Sequence, residues 1–129
     1  MATWDDVSRL VLALPETTER EGRDGVLDWR VRDKPLVWER PLRPKDREAL
    51  GDNAPDGPIL AARTPGLAAR EALLADAPAT YFTTPHFNGY PAVLVQLRKV
   101  SKKALRDALV DGWLACAPPK LAEQFVPRR

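Results

Sequence analysis

The two side chains on which most site chemistry depends are nearly missing: the chain has one histidine, His86, and one cysteine, Cys116. A lone cysteine closes no internal disulfide, which fits a reducing compartment. One histidine thirty positions from one cysteine is a poor basis for a protein-built zinc site. No metal and no cofactor are therefore expected. No basic segment followed by an apolar run opens the chain, so no secretory signal is expected. Uninterrupted apolar stretches never approach the roughly 20 residues of a membrane span. A cytoplasmic protein with no membrane contact is the expectation. Glycine-rich phosphate loops, His-Glu-x-x-His and the nucleophile elbow are absent too, and Ser8 and Ser101 have only His86 as a partner base. The chain is not expected to be an enzyme.

What is present suits one domain over residues 1–129, expected to be monomeric. Hydrophobic residues make up 44% and charged residues 29% of the chain, the balance of a folded globular protein. Thirteen prolines fall between periodic segments and punctuate short elements. The net charge of +2 is uneven. Residues 1–97 hold 12 Lys and Arg against 15 Asp and Glu, whereas residues 98–129 hold 8 against 3, including the terminal Arg128-Arg129 pair. A one-sided positive field of this kind attracts phosphates or serves solubility.

Periodicity supplies the elements. Thr3 caps a first helix with Asp5 and Asp6 in its first turn, and Val7, Leu10, Val11 and Leu14 form its apolar face before Pro15. Residues 16–23 read as an edge strand. Leu27, Trp29 and Val31 alternate with Asp28, Arg30 and Arg32, so a strand is predicted there, with Asp33-Lys34-Pro35 as the turn and residues 36–39 as the returning strand. Trp29 and Trp38 are expected to pair across this hairpin. Residues 41–57 are polar, with one helical turn over 45–50. A strand at 59–63 is followed by a helix that Thr64-Pro65 opens and that runs to Asp76. Residues 81–84 and 92–97 read as strands, with Asn88-Gly89 as a tight turn between them. Ser101 caps a last long helix on which Leu105, Ala108, Leu109, Gly112, Trp113 and Cys116 form a buried stripe until Pro118-Pro119. A further turn is expected over 120–125. Strands grouped between helices imply an α+β domain, a mostly antiparallel sheet with flanking helices packed on one face.

Several segments together resemble the MmcQ/YjbR-like family. They are Lys34 to Trp38, Pro58 to Arg63, Tyr81 to Pro91 (most specifically its Thr84-Pro85-His86-Phe87-Asn88-Gly89-Tyr90-Pro91 part), and Trp113 with Ala117-Pro118. The resemblance spans nearly the whole chain and implies a CyaY/frataxin-like fold. It also implies kinship with double-wing proteins, for which DNA is the implied partner. It carries over no catalytic residues. An iron role would need an acidic ridge on the first helix, and Asp5 and Asp6 alone do not make one.

Two candidate sites follow. Arg98, Lys99, Lys102, Lys103 and Arg106 surround the start of the last helix, with Lys102 and Lys103 set against the positive end of its dipole. With the Ser101 cap and free backbone N–H groups they suit a phosphate, and Arg30, Arg32 and Lys34 on the hairpin suit a wing. A partner nucleic acid is the expectation from this set, solvated lysines the plainer reading. The second site is His86 with Tyr81, Thr84, Asn88 and Tyr90, a polar and aromatic set suited to a small-molecule pocket. Its plainer reading is a histidine that pins a proline-flanked loop. Cys116 lies on the apolar stripe and is expected to be a core thiol.

Overall fold

The computed structural model describes residues 1–125. In chain order the elements are α1 (Trp4–Leu12), β1 (Thr17–Glu21), β2 (Leu27–Val31), β3 (Lys34–Glu39), α2 (Pro44–Leu50), β4 (Ile59–Arg63), α3 (Leu67–Asp76), β5 (Tyr81–Phe82), β6 (Ala92–Gln96), α4 (Lys102–Cys116) and α5 (Pro119–Gln124). Single 3-10 turns lie at Gly51–Asn53 and Pro85–Phe87. The six strands form one sheet in the order β1-β2-β3-β4-β6-β5, every neighbour antiparallel. The α+β fold expected from the sequence is the fold observed.

One sheet face carries the main core. Val7 and Val11 of α1 and Leu105, Leu109 and Trp113 of α4 pack there on Trp29, Leu36, Leu60 and Val95. Each fully buried leucine among them contributes about 2 kcal/mol of transfer free energy. Thr3 caps α1 as expected, accepting the Asp6 N–H at 3.2 Å while Asp6 accepts the Thr3 N–H at 3.0 Å. The opposite face is only partly covered. Phe87, from the second 3-10 turn, sits with Ile59, Ala61 and Leu94, and half-buried Trp38, Leu42 and Phe82 surround them.

Several local expectations are corrected. Trp29 and Trp38 do not pair: a register shift at Trp29/Arg30 sets Asp28 opposite Trp38 and Trp29 opposite Val37. A bulge of this kind sends the two indoles to opposite faces. Trp29 stacks on Trp4 instead, with ring centroids 6.3 Å apart. The hairpin turn is Arg32-Asp33, and Lys34-Pro35 already belongs to β3. Thr64 does not cap α3. Its hydroxyl donates to the Gly66 carbonyl at 2.8 Å, and the helix begins after Gly66, whose φ of +109 suits glycine. Thr83 and Thr84 lie outside β5. The tight turn expected at Asn88-Gly89 is present, as a type II turn with φ −58 at Asn88 and +76 at Gly89.

Candidate functional site

The structure does not gather the eight basic candidates into one surface. Lys102 Nζ lies 3.9 Å from Asp6 and Lys103 Nζ 3.8 Å from Asp107, so both lysines set against the dipole have acidic neighbours. Arg98 lies over Gly57, and Lys99 is exposed in the turn before α4. Arg106, one turn on from Lys102, lies on the same α1-facing flank of α4, among apolar neighbours: Leu10 of α1 and Leu14. The hairpin cations stand at the other end of this helix. Cys116, its last residue, approaches the Pro35 carbonyl at 3.6 Å, so Lys34 and Lys102 are separated by the helix length of about 21 Å. Arg32 is held by Glu16 through two bonds of 2.7 and 3.1 Å, and Arg30 by Asp28 at 3.1 Å. Arg128 and Arg129 lie outside the described residues.

The aromatic set is also divided. Tyr81 is buried on the helix-covered side, where it lines a cavity between α3 and α4. His86 and Tyr90 are exposed on the opposite face, Thr84 is buried beneath them, and Asn88 is exposed in the type II turn. On that face two adjoining depressions share Trp38 and Val26. The larger, about 520 Å³, is walled by His86, Phe87, Arg40 and Arg43. The smaller, about 290 Å³, is closed by Tyr90, Pro35 and Arg30. Arg30 from one candidate set and Tyr90 from the other thus meet in one groove. Thr84 and Asn88 line neither half. Trp38, Arg40, Arg43 and Phe87 were missed by sequence reasoning, because the bulge reverses the face that alternation assigns to Trp38.

The groove's walls are firmly held. Arg70 of α3 is buried and donates to the Phe87 carbonyl at 2.8 Å and the Tyr90 carbonyl at 3.1 Å. Arg63 sits 5.3 Å from the centre of the Tyr90 ring, a cation–π contact. Arg40 sits 5.5 Å from the centre of Phe87 and pairs with Asp46 at 3.0 Å, both side chains buried. Burial alone would raise the Asp46 pKa, but the Arg43 N–H and the Arg40 guanidinium outweigh it and hold the carboxyl below its ordinary value. The Thr84 hydroxyl, which completes no hydrogen bond, adds its dipole in the same direction. Asp6 is likewise lowered, chiefly by the Thr3 N–H, against desolvation. Burial pushes the Cys116 thiol up, as expected of a core thiol. Among the described residues no group of three or more His, Cys, Asp or Glu could hold a metal, and no helix is long and apolar enough to cross a membrane.

No family model matches the chain. It is 48% identical over 129 residues to the uncharacterised protein Rv2570 of Mycobacterium tuberculosis, covering 98% of this chain and 97% of that one, and equally so to Mb2600 of Mycobacterium bovis. The crystal structure of Deinococcus radiodurans protein DR2400, a DUF419 domain, superposes with a TM-score of 0.65 at 21% identity, over 88% of this chain and 78% of that one. With the fold of a DUF419 domain and that identity over its whole length, the chain belongs to the family of the uncharacterised mycobacterial protein Rv2570.

Proposed function

We propose that this chain is an MmcQ/YjbR-like, non-catalytic binding protein, cytoplasmic and monomeric, that holds a small planar ligand on the open sheet face. The reading rests on one observation: two adjoining depressions share the half-buried Trp38 as a common wall, on the face that α1, α3 and α4 leave open. An indole flanked by His86 and Tyr90 offers stacking surface. Trp29 and Trp113 donate their indole N–H groups to Glu19 and Pro15, whereas that of Trp38 has no acceptor among the described residues. Arg43, exposed at the rim, would meet a carboxylate or phosphate on the ligand. Acidic groups share the groove, Asp24 and Glu39 in one half and Asp28 in the other. This mixture suits a small ligand better than a polyanion.

The test is a titration with planar aromatic carboxylates, such as naphthoate, and their neutral amides, followed by the NMR signals of the four tryptophan indoles. The Trp38 indole signal and the His86 ring are expected to shift while those of Trp29 and Trp113 stay still. Arg43→Ala should weaken the carboxylates and leave the amides unchanged. Shifts confined to other residues, or none, would defeat the proposal.

A further inference from the structure

The other side of the sheet holds a second cavity, independent of the groove. It lies between α3 and α4, opens to solvent past Ala72 and Asp76, and measures about 390 Å³, within the size range of small-molecule sites. Sequence alone explains the gap. Ala69 and Ala72 of α3 and Ala104 and Ala108 of α4 line it where larger side chains would close the core, and Ala62 adds a further small group. Arg70 is the one buried residue of α3, and it is committed to the 87–90 turn.

The polar groups of this cavity point to a ligand. Tyr81 is only 6% exposed and lines the space, yet its hydroxyl has no hydrogen-bond partner among the described residues. Burial, and then the charge of Asp107, raise its pKa, so the phenol stays protonated. Asp107 and Asp76 also line the cavity. Asp76 is the last residue of α3, where the helix dipole adds negative potential. The Lys103 side chain near Asp107 is 88% exposed, and a long pair of that kind binds weakly. Arg63, the cation among the lining residues, has its guanidinium over the Tyr90 ring.

We infer that the cavity between α3 and α4 binds a small amphipathic cation, its apolar body among the alanines and its ammonium or amidinium group between Asp107 and the Tyr81 hydroxyl. An apolar lining with carboxylates and a free hydroxyl favours this class over anions by charge and over sugars by the scarcity of polar partners.

The experiment is an NMR titration of the full chain with hexylamine and benzamidine, with hexanoate and benzoate as matched anions. The amines should shift the amide signals of Tyr81, Ala104 and Ala108, and the anions should not. Asp107→Asn should weaken the amines by about tenfold, the loss of one charge-assisted hydrogen bond. Tyr81→Phe should weaken them while leaving the melting temperature unchanged, since the hydroxyl makes no hydrogen bond within the fold; a tyrosine serving only the fold would instead lose stability. Ala108→Leu should fill the cavity and abolish binding, and if it fails to fold, Ala72→Leu on the exposed wall blocks the same space. Equal affinity for amines and carboxylates, indifference to Asp107→Asn, or shifts centred on Trp38 and His86 would overturn the assignment.

Discussion

Arg70 shows how one buried cation shapes a surface it does not line. Its guanidinium reaches from α3 to two carbonyls of the 87–90 turn and so sets where Phe87 and Tyr90 stand. Arg70→Ala leaves both carbonyls without that donor and is expected to cost about 2–3 kcal/mol. It should also broaden the Trp38 indole signal, because the groove loses its fixed wall; urea melts and the indole spectrum check both. Asp46 acts on the opposite side of the same groove. Its pKa is lowered in the folded state, so its stabilisation is complete above the unfolded value and lost as pH falls through the folded one. Asp46→Asn strands buried Arg40 and should cost about 3 kcal/mol at neutral pH. The deficit should shrink as the wild type is acidified from about pH 5 toward pH 2. A constant deficit in urea midpoint across that window would mean the carboxylate is not what Arg40 requires.

At the scale of elements, α4 is placed by its glycine. A Cβ on Gly112 would stand 2.8 Å from the Arg63 carbonyl oxygen and 3.1 Å from Leu36 Cδ1, so helix and sheet touch backbone to backbone. Alanine would gain about 1 kcal/mol of helix propensity there. The clash is with main chain, which cannot swing aside, and overpacking costs about 1–3 kcal/mol. Gly112→Ala is therefore expected to lower the melting temperature, and a rise would show that α4 rides loosely on β4. This element was legible in the sequence, since Leu105, Leu109, Trp113 and Cys116 recur at helical spacing and all are buried. The capping box of α1 was legible for the same reason, as its signals are local. What the sequence hid depends on long-range geometry. The bulge at Trp29/Arg30 moves Trp38 to the open face, and alternation along β5 turns Tyr81 to the helix-covered face while Phe82 and the turn that carries His86 lie on the open one. The alanines of α3 and α4 read as ordinary helix formers until the two helices are seen to face one another.

For the molecule as a whole, the question is whether its positive charge acts as one body. Continuous phosphate contact requires cations along one surface, and each neutralised phosphate adds nearly one unit to the slope of log affinity against log salt. Here Lys102 and Lys103 lie near Asp6 and Asp107, Arg106 faces α1, and the hairpin's Arg32 and Arg30 are engaged by Glu16 and Asp28 at the far end of α4. If both lysines touched phosphate, the Lys102→Ala/Lys103→Ala variant would flatten the salt slope for duplex DNA by about two units. The arrangement described leads to a different expectation. Binding should be weak even at low salt, and the double variant should change the slope by less than about one unit. Folding stability should move little, because relief of the dipole conflict offsets the loss of two long, weak ion pairs. Fluorescence anisotropy with a labelled duplex over a range of salt concentrations decides the matter. A steep slope that flattens by two units would show that these lysines leave their carboxylates for phosphate, and would make nucleic acid the partner in place of a small planar ligand.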